Sequence, residues 1–162
     1  VLASFLRAAI AAIEARTSKA LISRLFTMTV QEWADPQAQA LPVGPVRQIV
    51  SVTVVARDAM ETVIEPQRYW LVRDMQAPLL KPSGAMLPFI PPQGSVQVVF
   101  EAGLGESWGA VPADLQQAVL MLAAHYYEYR HETRLGDGCM PFGVSSLIER
   151  YRPLRIGLGA RA

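Results

Sequence analysis

The residues of this chain that could do metal chemistry lie near the end of its longest helical segment, "VPADLQQAVLMLAAHYYEYRHE". Glu128 and His131 have the Glu-x-x-His spacing, which places a carboxylate and an imidazole about one turn apart on a helix. Four-helix di-iron proteins bind their metal ions with a pair of this kind from each of two helices and a further Glu from each of the other two. A metal-dependent enzyme is therefore the first hypothesis to weigh.

The rest of the sequence does not complete such a site. The chain has only 2 His and a single Glu-x-x-His pair, and the N-terminal helical segment contributes Glu14 alone. On a helical wheel, His125, Glu128 and Glu132 share one flank, whereas His131 points away from His125. We interpret the cluster as a solvated, ion-paired surface and predict neither a metal nor a cofactor. A small metal-dependent enzyme that uses the His125, Glu128 and Glu132 cluster stays as an alternative.

Other patterns that resemble catalytic motifs are incomplete. The stretch "GLGESWG" follows a predicted strand, but its glycines do not have the G-x-G-x-x-G spacing, and no strand follows the next helix to form a βαβ unit. Cys139 lies in a loop rich in glycine, with no base fixed beside it by the sequence. Ser145 lies in "GVSSL", which is not a nucleophile elbow. We therefore predict no catalytic residue and a protein that is not an enzyme.

The bulk properties are those of one globular domain. The chain has 162 residues, of which 51% are hydrophobic, so it can bury a sizeable core. Its net charge of +1 argues against tight binding of nucleic acid, which requires a marked basic excess. The lone Cys fits a reducing compartment. No apolar run approaches the roughly 20 residues of a membrane span.

The elements that position these residues follow from periodicity and from breaker residues. Apolar residues at helical spacing predict a helix over residues 1–17, a long helix near 112–133 and a short helix over 143–151. Alternating or β-branched stretches predict a block of short antiparallel strands within 20–103, with a Pro-rich part that can hold only short or edge strands. Strands do not alternate with crossover helices. The fold class is therefore α+β, a small helical bundle with an inserted β-block, and the tail is 152–162.

The long helix carries two apolar stripes rather than one. Such a helix is buried on more than one side. The first stripe predicts the core and comprises Leu115, Ala118, Val119, Leu122, Tyr126 and Tyr129. The second stripe faces either a neighbouring subunit or the rest of the same chain, and it comprises Leu120, Met121, Ala124 and Tyr127.

Several stretches taken together resemble a known family. They are "TSKALISRLFTMTVQEW", "LPVGPVRQIVSVTVV", "VQVVFEAGLG", "VPADLQQAVLMLAAHYYEYR" and "MPFGVSSLIERYRPLR", in this order. The sequence resembles the head-tail connector (adaptor) proteins of bacteriophages and gene transfer agents. The resemblance covers most of the chain, although relatives have a further short helix upstream of the residue that is Val1 here.

The resemblance implies a structural protein of the particle neck, assembled in the host cytoplasm. It implies a dodecameric ring docked on the portal protein, with neighbouring copies and the next neck or tail protein as its other partners. DNA would pass through the channel without sequence-specific binding, and no membrane is involved. The alternative within the same class is a stopper or a tail terminator.

The resemblance also implies where the partners bind. The C-terminal end would contact the portal through its arginines and apolar residues, and the alternative is a terminus that simply frays. The residues expected in this contact are Tyr151, Arg152, Leu154, Arg155 and Ile156. The residues expected between subunits are those of the second helical stripe, Leu120, Met121, Ala124 and Tyr127.

Overall fold

The computed structural model describes residues 1–131 and 140–153. The helices are α1 (Leu2–Thr17), α2 (Ala113–Glu128) and α3 (Phe142–Ile148). The strands are β1 (Arg24–Val30), β2 (Gln39–Ala40), β3 (Val46–Val55), β4 (Glu61–Val63), β5 (Tyr69–Val72), β6 (Leu79–Pro82) and β7 (Ser95–Ala102). A helix followed by a strand block and then by two helices confirms the predicted α+β class.

The strands form two antiparallel sheets. The larger has the order β1-β7-β3-β4 and the smaller the order β2-β6-β5. In β1 the predicted alternation is confirmed, since Phe26 and Met28 are half-buried while Thr27 and Thr29 are exposed. Phe26 lies opposite Phe100 of β7, and their rings stack with centroids 5.6 Å apart. The sheet therefore buries one face of β1 and leaves the other to solvent.

The interior divides into two hydrophobic cores. One fills the space between and around the sheets and includes Val52, Leu80, Val98 and Phe100. The other lies among the helices, where α2 packs against α1 on one side and against α3 on the other. Its fully buried residues are Ala9, Ile13, Leu21, Leu115, Ala118, Val119, Leu122 and Val144. The helices thus form a layer with α2 at its centre.

Two crossing segments join the helical layer to the larger sheet. The N–H of Leu104 donates to the carbonyl of Ala20 at 2.9 Å, and the N–H of Ser23 donates to the carbonyl of Gly105 at 2.7 Å. A Cβ added to Gly103 would lie 2.2 Å from the Cα of Ser23, so only glycine fits at this crossing. The two cores are therefore held together by backbone contacts that a side chain at Gly103 would break.

Some element boundaries differ from the prediction. Helix α2 ends at Glu128, and the side chain of Arg130 folds back and donates to the carbonyl of Tyr127 at 2.7 Å, which satisfies one of the carbonyls at the helix end. The last helix is α3 followed by a 3-10 turn, Glu149–Tyr151. The short strand β2 lies in "ADPQAQALPVGP", a stretch whose Pro and Gly content predicts a loop. None of the helices in the described ranges is long and apolar enough to span a membrane.

Candidate functional site

The predicted metal cluster does not come together in the described part of the chain. His125 is half-buried, with its ring 4.7 Å from that of Tyr129. Glu128 is the exposed last residue of α2, and His131 is exposed beyond the helix end. Glu132 lies outside the described residues. Within residues 1–131 and 140–153, no three His, Cys, Asp or Glu side chains are grouped so that they could hold a metal ion.

The first stripe of α2 lies in the helical core, as predicted for most of its residues. Leu115, Ala118, Val119 and Leu122 are fully buried. Tyr126 is half-buried against the same cluster. Tyr129 is exposed, because α2 ends one residue before it and the chain leaves the helical path. The core stripe therefore extends only to Tyr126.

The second stripe of α2 faces outward. Leu120 is 51% exposed, Met121 36% and Tyr127 43%, and Ala124 is exposed as well. The hypothesis that this stripe is buried within the chain, between the first helix and the sheet, is therefore wrong for the described structure. What remains is an apolar surface of four neighbouring side chains on the outer face of the helical layer. We call these four residues the outer stripe.

The outer stripe is bounded on its two flanks by α1 and α3. On one flank the ring of Tyr127 meets Phe5 of α1 edge to face, with centroids 6.0 Å apart, and Arg130 lies 4.3 Å from the Tyr127 ring centroid. On the other flank Gly143 of α3 lies against Met121, since an added Cβ would be 2.8 Å from the Met121 Cε. The stripe is therefore held in place by both neighbouring helices.

The C-terminal end of the described chain is anchored at the start of α2. The hydroxyl of Tyr151 donates to a carboxylate oxygen of Asp114 at 2.8 Å. Arg150 donates to the Tyr151 hydroxyl at 2.6 Å and forms an ion pair with Asp114 at 2.8 Å. Burial raises the pKa of the Tyr151 hydroxyl, an effect that the hydrogen bond from Arg150 partly offsets.

The position of Tyr151 changes its expected role. Its side chain is only 8% exposed and belongs to the helical core, so it is not available to bind a partner directly. Arg152 is exposed and forms a surface ion pair with Glu149 at 3.5 Å. Leu154, Arg155 and Ile156 lie outside the described residues. Tyr151 therefore anchors the chain directly before residues 152–162.

Two exposed aromatic residues were not singled out by the sequence. Phe142, the first residue of α3, is 87% exposed, and Phe89 is 79% exposed. Phe89 lines an open, mostly apolar cleft of about 440 Å³ that also includes Trp33 and Met86. The signal for Phe142 was available. It lies two positions before the buried Val144, which places it about 160° away from the core stripe of its helix.

Solved structures of gene transfer agent (GTA) particles contain chains similar to this one. In the neck of an empty GTA particle computed with C6 symmetry, a chain is 49% identical with a TM-score of 0.89, and the match covers 100% of this chain and 81% of that chain. In the neck of a native GTA particle computed with C12 symmetry, the identity is 48% and the TM-score 0.89, covering 99% of this chain and 86% of that chain. In the virion of a native GTA particle, the identity is 48% and the TM-score 0.87, covering 98% and 79%. No family model and no curated protein matches the sequence.

Proposed function

The chain belongs to the head-tail connector family of bacteriophages and gene transfer agents, and from this premise we propose that it is the adaptor that forms a ring under the portal of such a particle. It is a structural protein of the particle neck. In the adaptor role it links the head to the next neck or tail protein and performs no catalysis. The observation that carries the proposal is the match of essentially the whole chain to neck chains at 48% and 49% identity.

The ring is proposed to contain twelve copies. The C12 symmetry of one of the matched necks fits a dodecamer. A ring of identical subunits is built by a heterologous contact that repeats at every interface. The outer stripe supports this assignment, because Leu120, Met121, Ala124 and Tyr127 form an exposed apolar surface on a regular helix. We assign these four residues to the contact between neighbouring subunits.

The portal contact is proposed to be made by residues 152–162. The segment carries Arg152, Arg155 and Arg161 with Leu154 and Ile156 between them, so it can combine charge-assisted hydrogen bonds with apolar contacts. The residue directly before the segment, Tyr151, is fixed in place by the hydrogen bond from its hydroxyl to Asp114. A fixed starting point lowers the entropy that is lost when the segment orders on a partner.

DNA is proposed to pass through the centre of the ring. The net charge of +1 suits this role, because a channel lined by a strong basic excess would retain the phosphate backbone. No sequence-specific recognition of the DNA is proposed.

The test is electron microscopy of the purified chain mixed with the portal protein of the same particle. We expect a twelvefold ring seated on the portal, at the end where DNA leaves the head. A ring that binds only the tail tube, or only an already assembled neck, would instead identify a terminator or a stopper. Failure to associate with the portal under any condition that assembles the particle would contradict the adaptor role.

A further inference from the structure

We propose that Phe142 of one subunit packs onto the exposed face formed by α1 and α2 of the next subunit, so that α3 supplies one half of the ring contact and the α1–α2 pair supplies the other. This inference rests on the ring proposed above and identifies the two surfaces that meet. The occupant of the apolar face is thus a second copy of the same chain.

A closed ring requires two different surfaces on each subunit. In a heterologous contact, a patch on one side of the subunit fits a different patch on the other side of its neighbour. The outer stripe alone cannot satisfy this requirement, because it is a single patch. The second patch must lie elsewhere on the same chain and must be complementary to the first in shape and polarity.

Phe142 has the properties of the protruding half. Its side chain is 87% exposed, more than that of any other described aromatic residue. It occupies the first position of α3, directly after Pro141, and the next residue, Gly143, allows α3 to approach Met121 closely. Exposed aromatic side chains of this kind are typical of the anchors that dominate protein interfaces.

The flank of α1 beside Phe5 has the properties of the receiving half. On the helical wheel, this flank carries only Ser4 and small apolar residues between two borders, Arg16 beside Phe5 on one side and Arg7 on the other. Its residues are Ser4, Ala8, Ala11, Ala12 and Ala15. Together with Leu120, Ala124 and Tyr127 of α2, these residues make a shallow apolar surface without bulky side chains on the α1 side. Large residues on one surface and small residues on the other are what close packing requires.

The two halves also lie at similar levels along α2. A closed ring is generated by rotation without translation, so surfaces that meet must share the same height along the ring axis. Gly143 lies against Met121, which places Phe142 near the level of Leu120 and Met121 along α2. Phe5 near the start of α1 meets Tyr127 near the end of α2, so these helices are antiparallel and Ala8 lies near the level of Ala124. The two halves are therefore displaced by only about one helical turn along α2, and they meet at one height in a ring whose axis runs parallel to α2.

The two halves point in different directions around α2. Met121, on the α3 flank, and Tyr127, on the α1 flank, are six residues apart, which corresponds to about 120° around the helix. Phe142 is therefore directed away from the receiving surface of its own subunit. It is in the correct position to contact a neighbour on that side.

The first test uses two single-cysteine proteins that carry different affinity tags. In a Cys139→Ser background, one protein carries Ala8→Cys and the other Ser146→Cys. Ser146 is exposed one turn after Phe142 on the same face of α3, so this change keeps the aromatic side chain. Rings assembled on the portal from the mixture are oxidised mildly. We expect a crosslinked dimer that contains both tags. Its yield should be at least tenfold above the yield of crosslinked dimer that either protein forms alone. Normal rings without this mixed dimer would overturn the proposal.

The second test compares two exposed phenylalanines. Phe142→Asp should leave the thermal melt of the isolated chain unchanged and reduce ring formation on the portal at least tenfold. Phe89→Asp, a matched change on the β-block, should form rings at the wild-type level. Wild-type ring yield with Phe142→Asp would overturn the proposal while leaving the adaptor function intact. If the wild-type chain itself forms no ring on the portal, the adaptor function fails instead.

Discussion

The hydroxyl of Tyr151 donates a hydrogen bond to Asp114 at 2.8 Å and so joins the end of the last helical segment to the first turn of α2. Asp114 also accepts the N–H of Leu115 and pairs with Arg150. A carboxylate in the first turn of a helix is in addition stabilised by the helix dipole. The end of the domain is therefore fixed by one charged group with several partners.

Replacing Tyr151 by Phe tests this joint. The aromatic side chain of residue 151 remains in the core, but Asp114 and Arg150 each lose one hydrogen-bond partner. We expect the free energy of unfolding to fall by about 1.5–3 kcal/mol, the range for a hydrogen bond to a charged group. Urea denaturation followed by circular dichroism measures the change. Tyr127→Phe is the control, because that side chain is exposed, and equal losses in the two variants would contradict the role of the Tyr151 hydroxyl.

The acid stability of the protein should depend on Glu101. Hydrogen bonds from the hydroxyl of Ser23, at 2.8 Å, and from the amide of Gln48, at 2.9 Å, lower the pKa of this carboxyl below its ordinary value of 4.5. The stabilising contribution is therefore present above about pH 4.5 and is lost as the pH falls through the folded-state pKa.

Thermal melts over an acid series measure this effect. We expect Glu101→Gln to melt at a lower temperature than the wild type at neutral pH and to lose less stability on acidification. Ser23→Ala, which removes the principal donor, should also weaken the pH dependence. A Glu101→Gln protein whose acid profile parallels that of the wild type would show that Glu101 does not contribute.

The sequence was sufficient for features that depend on local periodicity. The alternation of Phe26 and Met28 with Thr27 and Thr29 predicted β1 and its buried face. In a strand with one solvent-exposed face, apolar and polar side chains alternate with a period of two residues. The core stripe of α2 followed in the same way from Leu115 to Leu122. These patterns needed no information about distant residues.

Features that depend on long-range contacts could not be predicted. Tyr151 was assigned to the portal contact, yet its side chain is buried and its hydroxyl is bonded to Asp114, 37 positions earlier. Helix α2 ends at Glu128 with no Gly or Pro directly after it, and Arg130 caps a carbonyl at that end. The pairing of β2 with β6 involves only Gln39 and Ala40 on one strand, which is too short for any alternation to be visible.

Two truncations separate the tail's role in docking from its role in folding. Among the described hydrogen bonds and ion pairs, removal of residues 152–162 cuts two local contacts of Arg152 with Glu149, a surface ion pair and a backbone hydrogen bond. The thermal melt should therefore stay near that of the wild type. Portal binding should be abolished. Removal of residues 151–162 also deletes the buried Tyr151 and should lower the melt clearly.

Co-sedimentation with the portal and a thermal melt of each truncation provide the readouts. Wild-type affinity after removal of residues 152–162 would show that the portal contact lies elsewhere. The longer truncation serves as the reference for a domain whose end is no longer anchored.

Simultaneous replacement of His125, Glu128 and His131 by Ala tests the metal hypothesis. Within the described residues, no three His, Cys, Asp or Glu side chains are grouped so that they could hold a metal ion. His125 packs on Tyr129, and Glu128 and His131 are exposed. We expect elemental analysis of the purified protein to give the same metal content before and after the change, with normal ring assembly. Loss of a stoichiometric metal in the triple variant would restore the enzyme hypothesis.

The two faces of α2 make different predictions for two nearby substitutions. Leu122 is fully buried in the helical core, so Leu122→Ala leaves a cavity and should cost about 2–5 kcal/mol of stability. Ala124 is exposed on the outer stripe, so Ala124→Glu should leave the thermal melt of the isolated chain near that of the wild type. In a ring the same Glu would be buried without a partner at every interface, and ring formation on the portal should be lost.

The comparison requires the melt and the ring yield of both variants, because either measurement alone is ambiguous. A low melt for Leu122→Ala, with a near-normal melt and no ring for Ala124→Glu, means that one helix serves the core and the assembly through opposite faces. Ala124→Gln is the control for size, since it adds a similar volume without a charge and should reduce ring yield less. If Ala124→Glu forms rings normally, the outer stripe is not buried between subunits, and the contact must be sought on the β-block, where Phe89 and Met86 are also exposed.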